Sequence, residues 1–385
     1  MSDGNGDRDR DPSGLSGCEL ERWRSNPILE PRGDDWEALA VFNPAAILRG
    51  DGKICLIYRA IGDYTSYVSR LGYAIFDEEI KLIFRSDEPF FGPDPYLGEA
   101  SVEDPRAVQL DSKAYLTYVV TQTPTPPGPV RLRLGQPKPK RSITRIGLAE
   151  FDPTFACHEP ARLGIITPYR AEERDTVLFP ERIHGSFALL HRPSNWLADP
   201  SETRPGIWFA YLDRLQEGRT FHHRLVMTPQ EPWEALKIGA GPPPIKTEHG
   251  WLLIYHGVDE ERVYRAGAAL LDLEEPWKVV ARTKEPILEP EEPYEVEGDV
   301  PNVVFPTGAF ILDGTLYVFY GAADKVCCLA TAKLERFLEG LLSQPAKAQP
   351  IAKEFPEITP VANPKPELEL AGIDLEPFGP AFARS

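Results

Sequence analysis

The chain has 385 residues, of which 42% are hydrophobic and 10% aromatic, and its formal net charge at pH 7 is −17. This apolar content is sufficient for a buried core, and the acidic balance argues against nucleic acid as a partner, because nucleic-acid-binding surfaces are basic. No run of 18 apolar residues is present, so the sequence predicts neither a membrane-spanning helix nor a membrane partner.

Residues 1–17 open the chain with a charged, glycine-rich segment that has the composition of a disordered tail and lacks the apolar stretch of a secretory signal. The chain has no C-x-x-C pair, and its cysteine count is odd, which is typical of a protein in a reducing compartment. The five cysteines are Cys18, Cys55, Cys157, Cys327 and Cys328. We therefore expect a cytoplasmic protein without disulfides.

Five times along the chain a polar turn is followed by an apolar strand pattern of one design, and the segment ERWRSNPILEP at 21–31 is expected to lead into the first of them. The five patterns are DGKICLIYRA at 51–60, DSKAYLTYVV at 111–120, HGSFALLHRP at 184–193, HGWLLIYHGV at 249–258 and DGTLYVFYGA at 313–322. A second marker follows four of them: RLGYAIFD at 70–77, RIGLAEFD at 145–152, IWFAYLD at 207–213 and RAGAALLD at 265–272.

The repeats begin between 60 and 73 residues apart (111 − 51 and 184 − 111), and almost no helix pattern lies between them. Repeats of this length with two or more strands each predict an all-β fold, a five-bladed β-propeller with its active-site pocket on the axis. The expected blades are residues 40–90, 101–167, 175–228, 237–290 and 297–332, in one domain over residues 18–343.

Three segments lie outside the strand patterns. The Pro-rich, basic stretch at 121–141 is either a surface loop or a lid over the pocket. LERFLEGLL at 334–342 has apolar residues at helical spacing and predicts a short helix. The Pro-rich tail at 344–385 is a candidate for an extended strap packed on the propeller, although the sequence does not place it.

VEDPRAV at 102–108 places two acids immediately before a repeat strand. Asp104 precedes a proline, which favours extended backbone. Glu103 and Asp104 are adjacent, so in a regular strand they point to opposite faces, and only one of them is expected to face the pocket. The structural alternative is a charged turn that contains an Asp–Arg pair.

Other ionisable residues also stand at the ends of repeat strands. Arg174 and Arg192 flank strand patterns that should lie in one blade, and Lys237 and His256 bracket the rigid stretch GAGPPP. Each residue taken singly also has a structural interpretation, as a solvated arginine or as a histidine with ordinary partners. Only the combination favours a site.

The combination resembles a known family, the mannoside phosphorylases of glycoside hydrolase family 130. The resemblance covers roughly residues 26–332. It rests on VEDPR, LFPERI with HR, KIGAGPPPIKT with GWLLIYHGV, YRAGAALLDL, and GDVPNVVFPTG with YGAAD, which occur in the family's order. It implies a five-bladed propeller, in agreement with the repeat count.

The resemblance also implies an activity: reversible, inverting phosphorolysis of a β-mannoside to α-mannose 1-phosphate and a shortened acceptor sugar. Inorganic phosphate would be the co-substrate, with no metal and no other cofactor, and a homo-oligomer is possible within the family. Asp104 would be the general acid, acting through a sugar hydroxyl. The implied phosphate ligands are Arg174, Arg192, Lys237, His256 and Tyr264; the implied sugar contacts are Asn43, Arg59, Asp104, Arg106 and Asp324.

Two rival functions are compatible with the fold. A phosphate-independent inverting mannosidase would need a carboxylate base in place of the cationic cluster. A non-catalytic glycan-binding propeller would need neither Asp104 nor the cations. Ser101, where many members have glycine, and the loop at 121–141 depart from the family pattern, so the acceptor sugar and the linkage, 1,4 or 1,2, stay open.

Overall fold

The structure, a computed structural model, describes residues 17–122, 143–154, 159–167, 172–194 and 205–347, together with the backbone of a short strand at Glu354–Phe355. The strands form five separate sheets of four or five strands each, which confirms the five-bladed β-propeller. The expectations for residues 1–16, for Cys157, for 123–141 of the basic loop and for most of the tail lie outside the described residues.

Blades one to three take their strands from consecutive stretches of sequence, from the inner edge of the blade outwards. After a short strand β1 (Glu21–Arg22), blade one contains β2 (Ala40–Leu48), β3 (Ile54–Ile61), β4 (Ser69–Phe76) and β5 (Leu82–Arg85). Blade two contains β6 (Glu99–Leu110), β7 (Lys113–Gln122), β8 (Ile143–Phe151) and β9 (Ala161–Ile165); blade three contains β10 (Glu173–Leu178), β11 (Phe187–Pro193), β12 (Ile207–Leu212) and β13 (Thr220–Met227).

Blades four and five complete the ring. Blade four contains β14 (Lys237–Ala240), β15 (Ile245–Thr247), β16 (Gly250–Val258), β17 (Tyr264–Leu271) and β18 (Val279–Arg282); blade five contains β19 (Val304–Leu312), β20 (Thr315–Ala322) and β21 (Val326–Lys333). One helical turn, α1 (Pro293–Val296), joins the two blades, and α2 (Leu334–Leu342) follows the last strand at the position predicted for a short helix. The five sheets fall close to the predicted blade ranges, and the largest differences are at the end of blade four (Arg282, predicted 290) and at the start of blade five (Val304, predicted 297).

The N-terminal strand closes the ring, which corrects the expectation that residues 21–31 lead into blade one. In β1, Arg22 pairs with Ala330 of β21, and the backbone N–H of Trp23 then donates to the carbonyl of Leu329 at 2.8 Å. Blade five takes only three strands from its own stretch of sequence, so the outer edge of β21 would otherwise present unpaired backbone groups. The beginning of the chain satisfies that edge and joins the two ends of the propeller.

The described part of the C-terminal tail lies along the outer edges of blades four and three. The N–H of Ala346 donates to the carbonyl of Val280 at 3.1 Å, and Pro345 bridges to Ala281. The strand β22 (Glu354–Phe355) then pairs with β13 in blade three. The tail therefore covers edges that an open blade would expose.

The glycine of the second repeat marker has a packing role. The tyrosine rings of the second strands, Tyr58 and Tyr255 among them, lie across the glycines of the third strands, such as Gly72 and Gly267, and a methyl group at either glycine would overlap the ring. Each tyrosine also meets a glutamate and an arginine: Tyr58 with Glu37 and Arg85, Tyr118 with Glu99 and Arg162, Tyr255 with Glu234 and Arg282, and Tyr320 with Glu295 and Arg22. In these four blades the repeated polar contacts lock the outer strands to the centre of the blade.

Blade three replaces this set by a different one. His191 occupies the tyrosine position, and its Nδ1 lies 2.6 Å from Oε1 of Glu173. Trp208 lies opposite His191 where the other markers have glycine, and His223, 3.2 Å away from His191, occupies the place of the arginine. A larger residue at the glycine position is accommodated because the imidazole is smaller than the phenol ring.

Candidate active site

The inner strands of the five blades meet through polar side chains and close backbone contacts. Nδ2 of Asn43 in blade one donates to Oδ1 of Asp104 in blade two at 2.8 Å. Arg106 in blade two approaches Asp175 in blade three at 3.4 Å. The hydroxyl of Thr307 in blade five donates to the carbonyl of Pro44 in blade one at 3.0 Å. Residues far apart in sequence therefore converge at the centre of the ring.

Three inner strands carry a bulge at the same place. The pairing shifts between Phe42 and Ala45 in β2, between Glu103 and Arg106 in β6, and between Arg174 and Val177 in β10. Each bulge contains one residue with positive φ: Asn43 at 49°, Asp104 at 48° and Asp175 at 53°. Asn and Asp tolerate this backbone region better than other non-glycine residues, and strained positions of this kind concentrate at functional sites. The bulges present an amide and two carboxylates from equivalent positions of three blades.

The carboxylate of Asp104 is buried, and within the described part of the chain its side-chain hydrogen bonds all go to one oxygen. Its Oδ1 accepts hydrogen bonds from Nδ2 of Asn43 at 2.8 Å and from Nη1 of Arg59 at 2.9 Å. The guanidinium of Arg59 lies over the ring of Phe42, 4.8 Å from its centre, and Nε donates to the hydroxyl of Ser69. Burial alone would lower the pKa of Arg59, but the neighbouring carboxylates outweigh burial and raise it. Arg59 therefore keeps its positive charge next to Asp104.

Glu103 faces the same guanidinium as Asp104, so the prediction that the two acids point to opposite faces is wrong. Nη2 of Arg59 lies 3.5 Å from Oε2 of Glu103, and Nη1 of Arg174 lies 3.7 Å from the same oxygen. The bulge at Asp104 adds a residue to β6 and breaks the strand's alternation. Glu103 thereby connects the Asp104–Arg59 pair to Arg174.

Ser101, the residue that departs from the family pattern, supports Arg59 indirectly. Its hydroxyl accepts a hydrogen bond from the backbone N–H of Ser69 at 3.0 Å, and the hydroxyl of Ser69 in turn accepts from Nε of Arg59 at 2.9 Å. A glycine at this position could not make the first of these bonds. The serine therefore fits the site.

The residues predicted to bind phosphate form a second group next to Asp104. Arg174 and Arg192 lie in one blade, as the sequence predicted, and are directly paired across β10 and β11. The ammonium of Lys237 lies 5.1 Å from the ring centre of Tyr264, which also stacks on His256 at 6.1 Å. The structure therefore brings all five predicted residues into neighbouring strands of blades three and four.

Arg106 lies between the two groups and is directed at protein atoms. Its Nε donates to the carbonyl of Gly241 at 2.7 Å and Nη1 donates to the carbonyl of Asp104 at 2.7 Å, while Nη2 reaches Asp175. The side chain is 1% exposed. The sugar contact predicted for Arg106 stays a prediction, and the geometry shows that Arg106 fixes the backbone of the Asp104 bulge.

Asp324, the remaining predicted sugar contact, lies in the turn after β20 with φ 48°. Burial raises the pKa of Tyr67, and the carboxylates of Asp324 and Asp299 add to this rise while Arg59 opposes it. The hydroxyl of Tyr67 donates to Oδ2 of Asp299 at 2.5 Å. Asp324 therefore belongs to the Arg59 side of the site, together with two residues that sequence reasoning did not assign.

His256 is neutral at physiological pH. Burial lowers the pKa of its imidazole to about 3; the nearby carboxylate of Asp175 opposes this shift, and the surrounding cations add to it. Among the described residues, neither ring nitrogen has a hydrogen-bond partner. A buried polar group without a protein partner is costly unless a ligand supplies one, so His256 is available to an incoming oxyanion.

The depressed pKa of His256 predicts acid sensitivity. In the unfolded chain a histidine titrates near 6.5. Between that pH and about 3 the unfolded state binds more protons than the folded state, so stability falls as the pH falls. We expect the free energy of unfolding to drop by about 2 kcal/mol between pH 7 and pH 5 from this residue alone. His223, whose pKa burial lowers to about 2, acts in the same direction.

Urea unfolding at the two pH values measures this drop. The free energy of unfolding of His256→Gln should depend less on pH than that of the wild type. An identical pH dependence in the wild type and in His256→Gln would show that His256 is not buried in its neutral form.

Two acids of the site were missed by sequence reasoning: Asp175, which contacts Arg192, and Asp299, which accepts a hydrogen bond from Tyr67. Asp175 lies three residues before the LFPERI motif (178 − 175), beside Arg174, and Asp299 lies in GDVPNV. The sequence signal that could have identified Asp175 was an ionisable residue next to the apolar part of a strand pattern. In the described part of the chain, no group of three His, Cys, Asp or Glu side chains is arranged to hold a metal ion, and no helix is long and apolar enough to cross a membrane.

The chain is similar to proteins of known activity. The family model of glycoside hydrolase family 130, described as beta-1,4-mannooligosaccharide phosphorylase, matches residues 19–342. The chain is 39% identical over 324 residues to the 1,2-beta-oligomannan phosphorylase of Thermoanaerobacter sp. (strain X514), which covers 82% of this chain and 98% of that protein.

Two further relatives match a similar share of the chain. The beta-1,2-mannobiose phosphorylase of the same Thermoanaerobacter strain is 37% identical over 330 residues, covering 82% of this chain and 98% of that protein. The solved structure of the beta-1,2-mannobiose phosphorylase from Listeria innocua, in complex with beta-1,2-mannobiose, superposes with a TM-score of 0.67 at 25% identity, covering 84% of this chain and 99% of the other.

Proposed function

The chain belongs to glycoside hydrolase family 130, and we propose that it catalyses the inverting phosphorolysis of β-mannosides to α-mannose 1-phosphate and a shortened acceptor sugar. The observation that carries this proposal is the position of one carboxylic acid, Asp104, beside a buried cluster of Arg192, Lys237 and His256, bridged to it by Arg106. Inorganic phosphate is the proposed co-substrate. The reaction is reversible, since a phosphate ester replaces a glycosidic bond.

The reaction needs one acid and a site for an anion. The bond between the anomeric carbon and the glycosidic oxygen breaks, a phosphate oxygen bonds to the opposite face of that carbon, and the leaving oxygen takes a proton. The described residues donate hydrogen bonds only to Oδ1 of Asp104, so Oδ2 is the oxygen that would carry this proton. Phosphate is already a nucleophile, so the cationic cluster takes the place of a general base.

The cluster suits a phosphate dianion in an otherwise acidic protein. Arginine presents a planar set of donors that matches two phosphate oxygens, and lysine and neutral histidine add single donors. Within a buried site these charge-assisted contacts are each worth about 1.5–3 kcal/mol. They can therefore offset the net charge of −17 that repels anions at long range.

The rival hydrolytic mechanism requires a base to activate water. Asp175 is a carboxylate in the cluster, but Nε of Arg192 lies 2.6 Å from its Oδ2. Burial alone would raise the pKa of Asp175, yet the neighbouring cations outweigh burial and lower it to about 2. A general base works best with a pKa near the working pH, so Asp175 is a poor one. The cluster therefore favours phosphorolysis.

For the linkage we propose β-1,2-mannosides. The two relatives that align over 98% of their own length are named for 1,2-β-oligomannan and β-1,2-mannobiose, and the superposed Listeria structure holds β-1,2-mannobiose. The family model is described by the β-1,4 activity, so the family as a whole does not decide the linkage.

The function is tested by incubating the purified full chain with β-1,2- and β-1,4-mannobiose, mannosyl-glucose and mannosyl-N-acetylglucosamine, with and without inorganic phosphate. We expect mannose 1-phosphate only when phosphate is present, and most of it from β-1,2-mannobiose. Free mannose without phosphate would identify a hydrolase, and the absence of any product would favour a glycan-binding role. A preference for a β-1,4 substrate would overturn only the linkage.

Replacing Arg174 by alanine should weaken the binding of phosphate more than the binding of the mannoside. Nη1 of Arg174 lies 3.7 Å from Glu103 at the edge of the cluster, and removing one charge-assisted donor corresponds to a rise of about 10- to 100-fold in the KM for phosphate. We expect the KM for mannobiose to change less than threefold, an order-of-magnitude bound for a residue outside the sugar site. Steady-state kinetics with each substrate varied in turn measures both constants, and equal increases would argue against a phosphate role.

A further inference from the structure

Asp175 is an anion buried within a cluster that is proposed to bind an anion. We propose that Asp175 is a positioning residue that fixes Arg192, Arg106 and His256 in the arrangement that receives phosphate, and that it does not contact the substrates itself. This inference rests on the proposed function, and it gives a role to a residue that the sequence resemblance left without one.

The contacts of Asp175 reach all three donors. Nε of Arg192 donates to Oδ2 at 2.6 Å, and Nη2 of Arg106 approaches Oδ1 at 3.4 Å. Nε2 of His256 lies 3.6 Å from Oδ2. The Asp175 side chain is 2% exposed, and those of Arg106 and His256 are 1% exposed. One carboxylate therefore touches groups from blades two, three and four.

Electrostatics explains why an acid is needed there. Burial lowers the pKa of Arg106, and Arg192 lowers it further, whereas Asp175 raises it. The two guanidinium groups thus repel each other in a poorly hydrated place. Without the carboxylate they would separate, or draw in another anion, before phosphate arrives. With it, the donors are organised in advance, which reduces the cost of binding.

The backbone is built around this side chain. Asp175 has φ 53° at the bulge of β10, a conformation that is costly for a residue with a side chain. Gly239 lies opposite, where a methyl group would overlap Oδ2 of Asp175 and come within 2.5 Å of Cε1 of His256. Strain at one residue and the lack of a side chain at another both serve to place the same carboxylate.

Asp175 stays ionised at any pH near neutrality. Because its pKa is about 2, the carboxylate keeps its charge well below neutrality. Asp175 therefore adds no acid limb to the pH profile of the enzyme. This distinguishes a fixed electrostatic support from a proton carrier.

The test is Asp175→Asn, which preserves shape and removes charge. We expect the KM for phosphate to rise by about 30-fold or more while the KM for mannobiose stays within about threefold, since the loss acts through phosphate ligands. Binding of inorganic phosphate to the free protein, measured by isothermal titration calorimetry, should weaken in parallel.

The matched control is Glu37→Gln. It removes the charge of another buried carboxylate, which is paired with Arg85 in blade one, and blade one is not adjacent to blade three. This control should lower the melting temperature without changing the KM for phosphate.

A double-mutant cycle separates positioning from general destabilisation. Because Asp175 acts largely through Arg192, the donor that it holds most closely, adding Asp175→Asn to Arg192→Ala should raise the phosphate KM by clearly less than the roughly 30-fold expected for Asp175→Asn alone, since residues in contact are not additive. Should Asp175→Asn fail to fold, Arg192→Lys keeps the charge but lacks the Nε–H donor, and it should raise the phosphate KM by about tenfold.

Two results would overturn the inference: a folded Asp175→Asn variant with an unchanged phosphate KM, or equal increases in both KM values. If Asp175→Asn does not fold, an unchanged phosphate KM in Arg192→Lys has the same meaning. Failure of the proposed function is recognised separately, because the wild type would then form no mannose 1-phosphate and bind no phosphate.

Discussion

Replacing Asp104 by asparagine is expected to lower kcat for the phosphorolysis of mannobiose by about 10²- to 10⁴-fold, the range typical of a lost general acid. Asparagine has the shape of aspartate, and its side-chain oxygen can still accept the hydrogen bonds from Asn43 and Arg59. The amide has no transferable proton, so protonation of the leaving oxygen is lost while the site keeps its form. Steady-state rates of mannose 1-phosphate release measure the change.

A substrate with a good leaving group sharpens this test. The nitrophenolate group of nitrophenyl β-mannoside needs little protonation when it leaves. The loss of kcat in Asp104→Asn should therefore be at least about tenfold smaller with this substrate than with mannobiose. Asp272→Asn is a suitable control, because the Asp272 carboxylate accepts backbone hydrogen bonds in a turn of blade four, and the substitution should leave both rates unchanged. Equal losses on the two substrates would show that Asp104 holds the site together rather than supplying a proton.

The sequence was sufficient to predict the propeller because the repeats have a local physical cause. Each second strand needs an apolar run, and in three blades the facing strand needs glycine, because an aromatic ring such as that of Tyr58 lies across Gly72. These demands act within one blade and so recur along the chain. The closure of the ring by β1 could not be predicted from the sequence in the same way. A strand of two residues, Glu21 and Arg22, is too short to show an alternating pattern, and its partners lie about 300 positions later in the chain.

The site was predictable in its members but not in its geometry. Motif resemblance named Asn43, Asp104 and Arg59, and the structure places these three in direct contact. The two-residue alternation of a strand then predicted the wrong direction for Glu103, because a bulge depends on a positive φ that no composition rule announces. Asp175 was overlooked because an acid beside an arginine has an ordinary structural interpretation until its three-dimensional neighbours are known.

Gly239→Ala is expected to lower kcat/KM for phosphate by about 100-fold, although it adds a single methyl group and changes no charge. Gly239 is not among the residues with positive φ, so alanine can adopt its backbone and only the added volume matters. That volume would overlap Oδ2 of Asp175 and lie 2.5 Å from Cε1 of His256, and neither side chain has room to move in a fully buried cluster. Overpacking of this kind costs about 1–3 kcal/mol or displaces the side chains that bind.

Gly50→Ala is the matched control, because a Cβ atom there meets nothing within 4 Å and its φ is also ordinary. Both variants should have circular dichroism spectra like that of the wild type, and only Gly239→Ala should lose phosphate-dependent turnover. The loss should appear in the KM for phosphate before that for mannobiose, since Asp175 and His256 belong to the cationic cluster and Asp104 does not touch Gly239. Wild-type kinetics in Gly239→Ala would mean that Asp175 and His256 can shift without consequence, and that the preorganisation of the cluster does not govern phosphate binding.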